Sequence, residues 1–176
     1  MTNRLLIIPA RGGSKRIRNK NIKNFFGKPI IFYSLSAGKK SGLFKKIHVS
    51  TESIKIKKLV ENSGYKVDFM RPKSLSLDNV HTIDVLRFVY NKYKKMGVFF
   101  DEVWNLSCCS PLIYHTDLSK AAKLLKQNKN KVVLSITEYA TPIEWSYKLM
   151  KNKILKTFYN DLHKIKLQKL EKKYHD

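Results

Sequence analysis

The sequence has no long apolar run and little that would direct it to a membrane. No stretch of about 18 apolar residues occurs, which argues against a membrane-spanning helix. The apolar run from Leu5 to Ala10 is short and is followed at once by charged Arg11, which is not typical of a signal peptide. We therefore expect a cytoplasmic protein with no membrane partner.

Cysteine is also scarce. The two cysteines, Cys108 and Cys109, are neighbours in the sequence. Adjacent cysteines rarely form a disulfide with each other, and two thiols with no nearby ligand partners make a poor metal site. We interpret the pair as small side chains that are partly buried.

Acidic residues are few, and the resulting basic excess is the strongest feature of the composition. The chain has 36 Lys and Arg against 13 Asp and Glu, a formal net charge of +23. Such an excess can indicate nucleic acid, a membrane surface or an anionic ligand. No arginine-rich tract or RRM-like aromatic motif occurs, which argues against nucleic acid as a partner. Compositional drift, a polyanion-binding face and the steering of an anionic substrate remain open.

Short apolar runs alternate with amphipathic stretches, with no internal repeat or low-complexity linker. This alternation predicts an α/β fold with three layers around a mostly parallel sheet, and 176 residues suffice for one domain with a sizeable core. The expected strands cover residues 5–9, 46–50, 67–70, 102–106 and 132–136. The expected helices cover residues 29–42, 54–62, a stretch that Thr82 would cap, and 118–128.

The loop after the first predicted strand carries the strongest functional signal, because ligands of such sheets bind at the carboxyl ends of strands. Gly12 and Gly13 let the backbone turn sharply and expose successive N–H groups as an anion nest. The spacing is neither that of a P-loop nor that of the dinucleotide fingerprint. A triphosphate site and a basic surface turn therefore both fit it. The polar groups around the glycines are Arg11, Ser14, Lys15, Arg16 and Lys20.

The motif IPARGGSKRI at residues 8–17, followed by Lys20 and Asn21, resembles the N-terminal signature of the acylneuraminate cytidylyltransferases. That family makes CMP-activated sialic, pseudaminic and legionaminic acids. Further segments resemble the family in the same order along nearly the whole chain. They are GKPI at 27–30, VSTE at 49–52, Arg71-Pro72 with Leu75, Asp78 and Thr82, SPL at 110–112, and Gln168 with Leu170 and Tyr174.

The resemblance implies a Rossmann-like nucleotidyltransferase fold, as a single domain over residues 1–176. It also implies that CTP and Mg²⁺ bind first. The anomeric hydroxyl of an acidic nine-carbon sugar then attacks the α-phosphorus, and pyrophosphate leaves. The implied function is therefore the transfer of CMP from CTP to a nonulosonic, sialic-acid-like sugar, with a homodimer as one possible assembly.

Carried onto matching positions, the resemblance implies Lys20 and Arg11 as catalytic cations, with Lys20 closest to the charge that shifts onto pyrophosphate. Asn21 offers a base edge both donor and acceptor groups, and Arg71 offers a planar fork. Gln168 would bind the sugar. The implied nucleotide-binding set is Ala10, Arg11, Gly12, Gly13, Ser14, Lys20, Asn21, Arg71, Thr82 and Ser107.

Three departures from the family pattern bear on substrate and turnover. Ser107 stands where the family has glutamine, which points to a non-standard acceptor sugar. The stretch SITEY at 135–139, with PIEW at 142–145, is closer to the pseudaminic or legionaminic branch than to the sialic branch. The chain ends at Asp176, where family members continue with metal-binding carboxylates. We therefore expect the C-terminal part of the family domain to be missing, and the metal ligands stay unassigned.

Two alternative functions follow from this shortened C-terminus and from the charge. One is a truncated, inactive remnant that keeps the nucleotide pocket but not turnover. The other is a basic polyanion-binding protein built on an old nucleotidyltransferase fold. Nucleotide-selective binding without turnover favours the first, and binding that falls steeply with salt favours the second.

Overall fold

A computed structural model describes residues 2–127, 132–159 and 161–176 of the chain. The chain divides into two compact units, Met1–Leu124 and Leu125–Asp176. Every strand longer than three residues lies in the first unit. The strands are β1 (Arg4–Pro9), β2 (Asn24–Phe25), β3 (Lys28–Pro29), β4 (Lys46–Ser50), β5 (Glu102–Asn105), β6 (Thr137–Glu138), β7 (Tyr147–Leu149), β8 (Leu155–Thr157) and β9 (Tyr174–His175).

The helices match the predicted helical stretches closely. The first ends at Gly42, whose left-handed φ of 65° suits glycine at a helix C-terminus, and the second is capped by the Ser53 side chain. Of the fourth predicted helix, Asn128 lies outside the described residues. The α-helices are α1 (Ile31–Ser41), α2 (Ile54–Glu61), α3 (Thr82–Lys95) and α4 (His115–Gln127).

The core of the first unit is a three-stranded parallel sheet in the order β4–β1–β5. Alternate side chains of β1 point to opposite faces, and the four from Leu5 to Ile8 are fully buried. Leu6 and Ile8 join a cluster with residues of α1 and α2, whereas Leu5 and Ile7 join a cluster with residues of α3. Helices therefore cover both faces, which confirms the three-layer α/β fold with a parallel sheet.

The topology of this sheet determines where a ligand can bind. The chain enters at the centre in β1, crosses through α1 to β4 on one side, and later reaches β5 on the other side after α3. The strand order therefore reverses between β1 and β5. A crevice forms where the loops leave the carboxyl ends of such strands, and here those loops begin at Ala10 and Leu106.

Two predicted strands are wrong. Residues 67–70 form no strand, although Val67 and Phe69 pack their side chains against the core. A backbone hydrogen bond to the segment after β4 follows at Arg71, whose N–H donates to Thr51 O at 2.8 Å. The apolar pattern there reflects burial and not sheet pairing. Residues 132–136 also form no strand, and pairing begins at Thr137, where β6 meets β9.

The starts of three helices also differ from the prediction, and one of these is α4, which begins at His115 and not at Leu118. Thr82 is the first residue of α3 and not its cap; His81 takes the cap position and makes no side-chain cap hydrogen bond. Pro29 does not begin α1, because Lys28–Pro29 pairs with Asn24–Phe25 in a short hairpin and the helix begins at Ile31.

The second unit contains short antiparallel pairs, β6 with β9 and β7 with β8. Trp145 donates from its indole Nε1 to Ile165 O at 3.4 Å, which links two 3₁₀ turns within the unit. Across the described part of the chain, no helix has both the length and the apolar character needed to cross a bilayer.

Candidate functional site

A cavity of about 320 Å³ lies at the carboxyl ends of β1 and β5. Its walls come from the loop after β1, the segment that leads into α3, the first turn of α3 and the loop after β5. The volume falls within the range of small-molecule sites. Seven of the ten predicted nucleotide-binding residues line this cavity: Arg11, Ser14, Lys20, Asn21, Arg71, Thr82 and Ser107.

The other predicted residues lie elsewhere. Ala10 is buried, and its N–H donates to Ser50 O at 2.9 Å, which extends the pairing of β1 with β4. Gly12 and Gly13 belong to the same loop but do not line the cavity. Gln168 is exposed in the second unit, in a 3₁₀ turn. The binding roles of all these residues stay predictions.

Glu52, which directly follows the loop residue Thr51 after β4, connects two walls of the site. Its Oε1 accepts a hydrogen bond from Gly12 N–H at 2.7 Å. Its Oε2 accepts from Arg71 Nη2 and from Ser76 Oγ, both at 3.0 Å. Sequence analysis placed Glu52 in a family motif but assigned it no role. Its position at the end of the strand next to β1 was the available signal.

The electrostatics of this group favour a charged carboxylate. Burial opposes ionisation of Glu52, but hydrogen bonds from the backbone N–H groups of Gly12 and Glu52 itself, from Arg71 and from Ser76 hold its pKa below the ordinary value. The Arg71 side chain is only 4% exposed. Its Nε has no hydrogen-bond partner in the described part of the chain. Buried donors without a partner are rare in folded proteins, and this one belongs to a residue that lines the cavity.

A second carboxylate, Asp78, holds the cations of the glycine loop from the opposite wall. Arg11 Nη1 lies 2.7 Å from Asp78 Oδ1, and Lys15 Nζ lies 2.5 Å from Oδ2. The hydrogen bonds and charges of Lys15 and Arg11 lower the pKa of Asp78. The Asp78 side chain is 49% exposed, so water screens these pairs and a phosphate group could replace the carboxylate.

Asn21 ties the two loops at the carboxyl ends of β1 and β5 together. Its Nδ2 donates to Arg11 O at 2.8 Å, and its Oδ1 accepts from Cys108 Sγ at 2.9 Å and from Cys109 Sγ at 3.3 Å. Burial raises the pKa of the Cys108 thiol, so Cys108 is a neutral donor here. Both cysteines are partly or fully buried, as predicted, but sequence analysis did not foresee that they line the cavity.

Lys20 supplies a cation that no protein carboxylate pairs with in the described ranges. It begins a 3₁₀ turn, Lys20–Ile22, after Asn19 in the left-handed conformation, and its side chain lines the cavity. Its ammonium group is therefore available to an anionic ligand.

Protein ligands for a divalent cation are scarce in the described residues. No group of three or more His, Cys, Asp or Glu side chains comes together there. Asp78 is the one described carboxylate that lines the cavity, and both of its oxygens are in ion pairs. The described side chains therefore do not fit a divalent cation by themselves.

A family model described as cytidylyltransferase matches residues 5–176. The chain belongs to the cytidylyltransferase family. It is therefore related to nucleotidyltransferases, and the resemblance drawn from the glycine loop is confirmed.

Named relatives of this cytidylyltransferase chain act on nonulosonic acids. It is 35% identical to the pseudaminic acid cytidylyltransferase of Campylobacter jejuni, over 98% of this chain and 74% of that protein. It is 33% identical to the CMP-N,N'-diacetyllegionaminic acid synthase of Legionella pneumophila, over 80% of this chain and 60% of that protein. It is 31% identical to the N-acylneuraminate cytidylyltransferase of Escherichia coli, over 80% of this chain and 33% of that protein.

A solved structure supports the fold independently. The CMP:2-keto-3-deoxy-manno-octonic acid synthetase complexed with CTP matches with a TM-score of 0.62 at 23% identity, over 77% of this chain. The chain spans 51% of the length of that synthetase. The predicted Rossmann-like nucleotidyltransferase fold is thereby confirmed.

Proposed function

We propose that this chain transfers CMP from CTP to the anomeric hydroxyl of a nonulosonic, sialic-acid-like sugar and releases pyrophosphate. The observation that carries the proposal is the cavity between the carboxyl ends of β1 and β5, which collects seven predicted nucleotide-binding residues. The match to the pseudaminic acid cytidylyltransferase of Campylobacter jejuni covers 98% of the chain and supports the same reaction.

The proposed reaction needs positive charge where pyrophosphate leaves. The sugar hydroxyl oxygen forms a bond to the α-phosphorus and releases its proton to water, the bond from that phosphorus to the bridging oxygen breaks, and negative charge shifts onto the departing pyrophosphate. Lys20, with no ion-pair partner in the described residues, is proposed to stabilise that charge. Arg11 is proposed to assist after exchanging Asp78 for a phosphate.

Cytidine would lie against the buried wall of the cavity. The Arg71 guanidinium lines the cavity and can offer its planar fork to a carbonyl or hydroxyl oxygen of the nucleoside. Thr82 in the first turn of α3 and Ser107 after β5 offer hydroxyl groups along the same cavity. Asn21 already uses both ends of its amide within the protein, so its proposed contribution is to fix the loops as well as to face the base.

Cytidylyltransferases of this fold usually use a divalent metal ion, and Mg²⁺ is the ion that we propose here. The described side chains do not fit it by themselves, so phosphate oxygens and water would have to supply most of its ligands. The cytoplasmic location, the homodimer, the single-domain organisation and the sugar contact of Gln168 stay predictions.

The test is pyrophosphate release from CTP and Mg²⁺ with a panel that includes pseudaminic, legionaminic and N-acetylneuraminic acids. Lys20→Ala should lower sugar-dependent release by about 100-fold, the effect of removing one donor to developing charge. Lys23→Ala is the matched control, because Lys23 is exposed three residues later and does not line the cavity. Equal release by wild type and Lys20→Ala would contradict the assigned role of Lys20.

The scarcity of cation ligands favours one second candidate, a CTP-binding chain without turnover. A folded protein that binds CTP selectively but releases no pyrophosphate with any sugar would establish that candidate. Binding that ignores nucleotide identity and weakens steeply with salt would instead indicate the polyanion-binding alternative.

A further inference from the structure

We propose that Glu52 is a positioning residue that sets the phosphate side and the nucleoside side of the cavity with one carboxylate. The inference rests on the proposed function, because it assumes that the cavity holds a cytidine nucleotide. Glu52 itself does not line the cavity. It would act through the two groups that it holds.

The two oxygens of Glu52 have different partners. Oε1 accepts from Gly12 N–H, at 2.7 Å, and so fixes the loop that carries Arg11 and Ser14. Oε2 accepts from Arg71 Nη2 and Ser76 Oγ, both at 3.0 Å, and so fixes the opposite wall. A single side chain therefore joins a backbone atom of one wall to a buried guanidinium of the other.

The backbone from which Glu52 extends is itself well fixed. Thr51 O accepts from Arg71 N–H at 2.8 Å, and Thr51 Oγ1 accepts from Ser53 N–H at 3.1 Å. Ser53 in turn caps α2. Because the backbone on both sides of Glu52 is held by these hydrogen bonds, the Glu52 carboxylate has a fixed position and can hold its own partners in place.

The loop also packs tightly against this segment. A Cβ on Gly12 would lie 2.9 Å from Ser53 Cβ. Only glycine brings the loop backbone close enough for its N–H to reach the Glu52 carboxylate. Gly12, which was predicted as part of an anion nest, therefore donates its N–H to a protein carboxylate. This hydrogen bond positions the loop, and the Gly12 N–H does not contact the phosphates.

Glu52 is the counter-ion of the buried Arg71 guanidinium. The Arg71 side chain is 4% exposed, and Glu52 is its one ion-pair partner within the described ranges. With Nη2 held by Glu52, the guanidinium is fixed in the wall of the cavity that Arg71 lines. Losing the carboxylate would let the guanidinium turn away from the nucleoside.

Two substitutions separate the two halves of this role. Glu52→Gln removes the charge that holds Arg71, and its amide has one acceptor oxygen, so it cannot satisfy both Gly12 N–H and Arg71. Glu52→Asp keeps the charge for Arg71 but is one methylene shorter, so it cannot span to Gly12 as well. Glu61→Gln is the matched control, because Glu61 is an exposed residue of α2 whose one ion pair among the described residues is with Lys57.

The experiment is calorimetric titration of each folded variant with CTP, with cytidine and with inorganic tripolyphosphate, all without metal. Glu52→Gln should lose about tenfold in affinity for CTP, the size of one hydrogen bond to a charged group, and should weaken both partial probes. Glu52→Asp should recover cytidine binding but not tripolyphosphate binding. Glu61→Gln should match the wild type.

The outcomes separate this inference from the proposed function. Two outcomes would overturn the positioning role alone. In the first, folded Glu52→Gln binds CTP as tightly as the wild type does. In the second, Glu52→Asp loses affinity equally for cytidine and for tripolyphosphate. If Glu52→Gln does not fold, Glu52→Asp decides by the same selective loss. A wild-type chain that binds neither CTP nor tripolyphosphate would overturn the proposed function and, with it, the role of Glu52.

Discussion

Two carboxylates, Glu52 and Asp78, form ion pairs with cations beside the cavity, and they differ in their exposure to water. Glu52 is 15% exposed and accepts hydrogen bonds from the protein groups Gly12 N–H, Arg71 Nη2 and Ser76 Oγ. Asp78 is 49% exposed and pairs with Arg11 and Lys15, both of which reach it through flexible side chains. Both pairs place a cation beside the cavity, but only the first is shielded from water.

The difference shows how one site can combine fixed and exchangeable positive charge. A shielded pair is costly to break, because the remaining charge has neither water nor a partner. An exposed pair is screened and contributes little to stability. Arg71 is therefore held in place before ligand binds, whereas Arg11 and Lys15 can exchange Asp78 for phosphate.

The largest expected effect is on stability. Glu52→Ala leaves Arg71 buried without a counter-ion and should lower the free energy of unfolding by about 4 kcal/mol, as removing one partner of a buried pair does. Urea unfolding followed by circular dichroism measures this change. Asp78→Ala removes two ion pairs and should produce no measurable change. A larger loss in Asp78→Ala than in Glu52→Ala would break the comparison.

Acid unfolding sharpens the comparison through a fully buried histidine, His48. His48 stacks on Phe69, and its Nδ1 lies 3.1 Å from Tyr93 Oη, which donates to Asp68. Burial lowers the pKa of His48 from 6.5 to about 4, with Lys46 also lowering it and Asp68 opposing the change. The unfolded chain therefore binds a proton at His48 more readily than the folded chain does.

The sign of the pH effect follows directly. The stability that His48 contributes is present in full above pH 6.5 and is lost as pH falls towards 4, about 3 kcal/mol over that window. Glu52 and Asp78 have lowered pKa values, so the stability they contribute is lost only at lower pH. As pH is lowered across this window, the urea unfolding midpoint should fall in wild type and in the control His115→Gln. It should fall less in His48→Gln, which lacks the buried imidazole. An equal slope in all three would contradict the assignment.

A smaller effect is expected on nucleotide binding at the exposed pair. Arg11→Ala should weaken CTP about tenfold, because a charge-assisted hydrogen bond to phosphate is lost. Arg11→Lys keeps the charge but not the planar fork, so its affinity should be intermediate. Calorimetric titration at two salt concentrations checks this, since raising salt should weaken wild type more than Arg11→Ala. Unchanged CTP affinity in Arg11→Ala would contradict a contact between Arg11 and the phosphates.

The fold could be predicted because it depends on local pattern, and seven residues that line the cavity could be predicted from the resemblance to the family. The buried strand β1 and the glycine loop that follows it are contiguous, and a parallel sheet places such a loop beside the loop after β5. The central role of Glu52 was not predicted, because it depends on Gly12, Arg71 and Ser76 meeting in three dimensions.

The errors have the same cause. Residues 67–70 are apolar because Val67 and Phe69 are packed, and an apolar run does not reveal whether its backbone also pairs. The strand predicted over residues 132–136 failed in the opposite way, since Val132, Leu134 and Ile136 are exposed. Periodicity identified side-chain composition in both segments but could not identify a hydrogen-bonding neighbour.

The smallest expected effect is the most informative about Asp78. Asp78→Asn keeps the shape of the side chain but removes the charge that competes with phosphate for Arg11 and Lys15. CTP affinity should therefore rise, by roughly twofold as for one exposed ion pair, and the rise should be the same with and without Mg²⁺. Calorimetric titration under both conditions measures it, with Asp84→Asn on the exposed side of α3 as the control. A loss of affinity that appears only with Mg²⁺ would instead make Asp78 a metal ligand, and the exposed carboxylate would then have a fixed role in the site, as the buried one does.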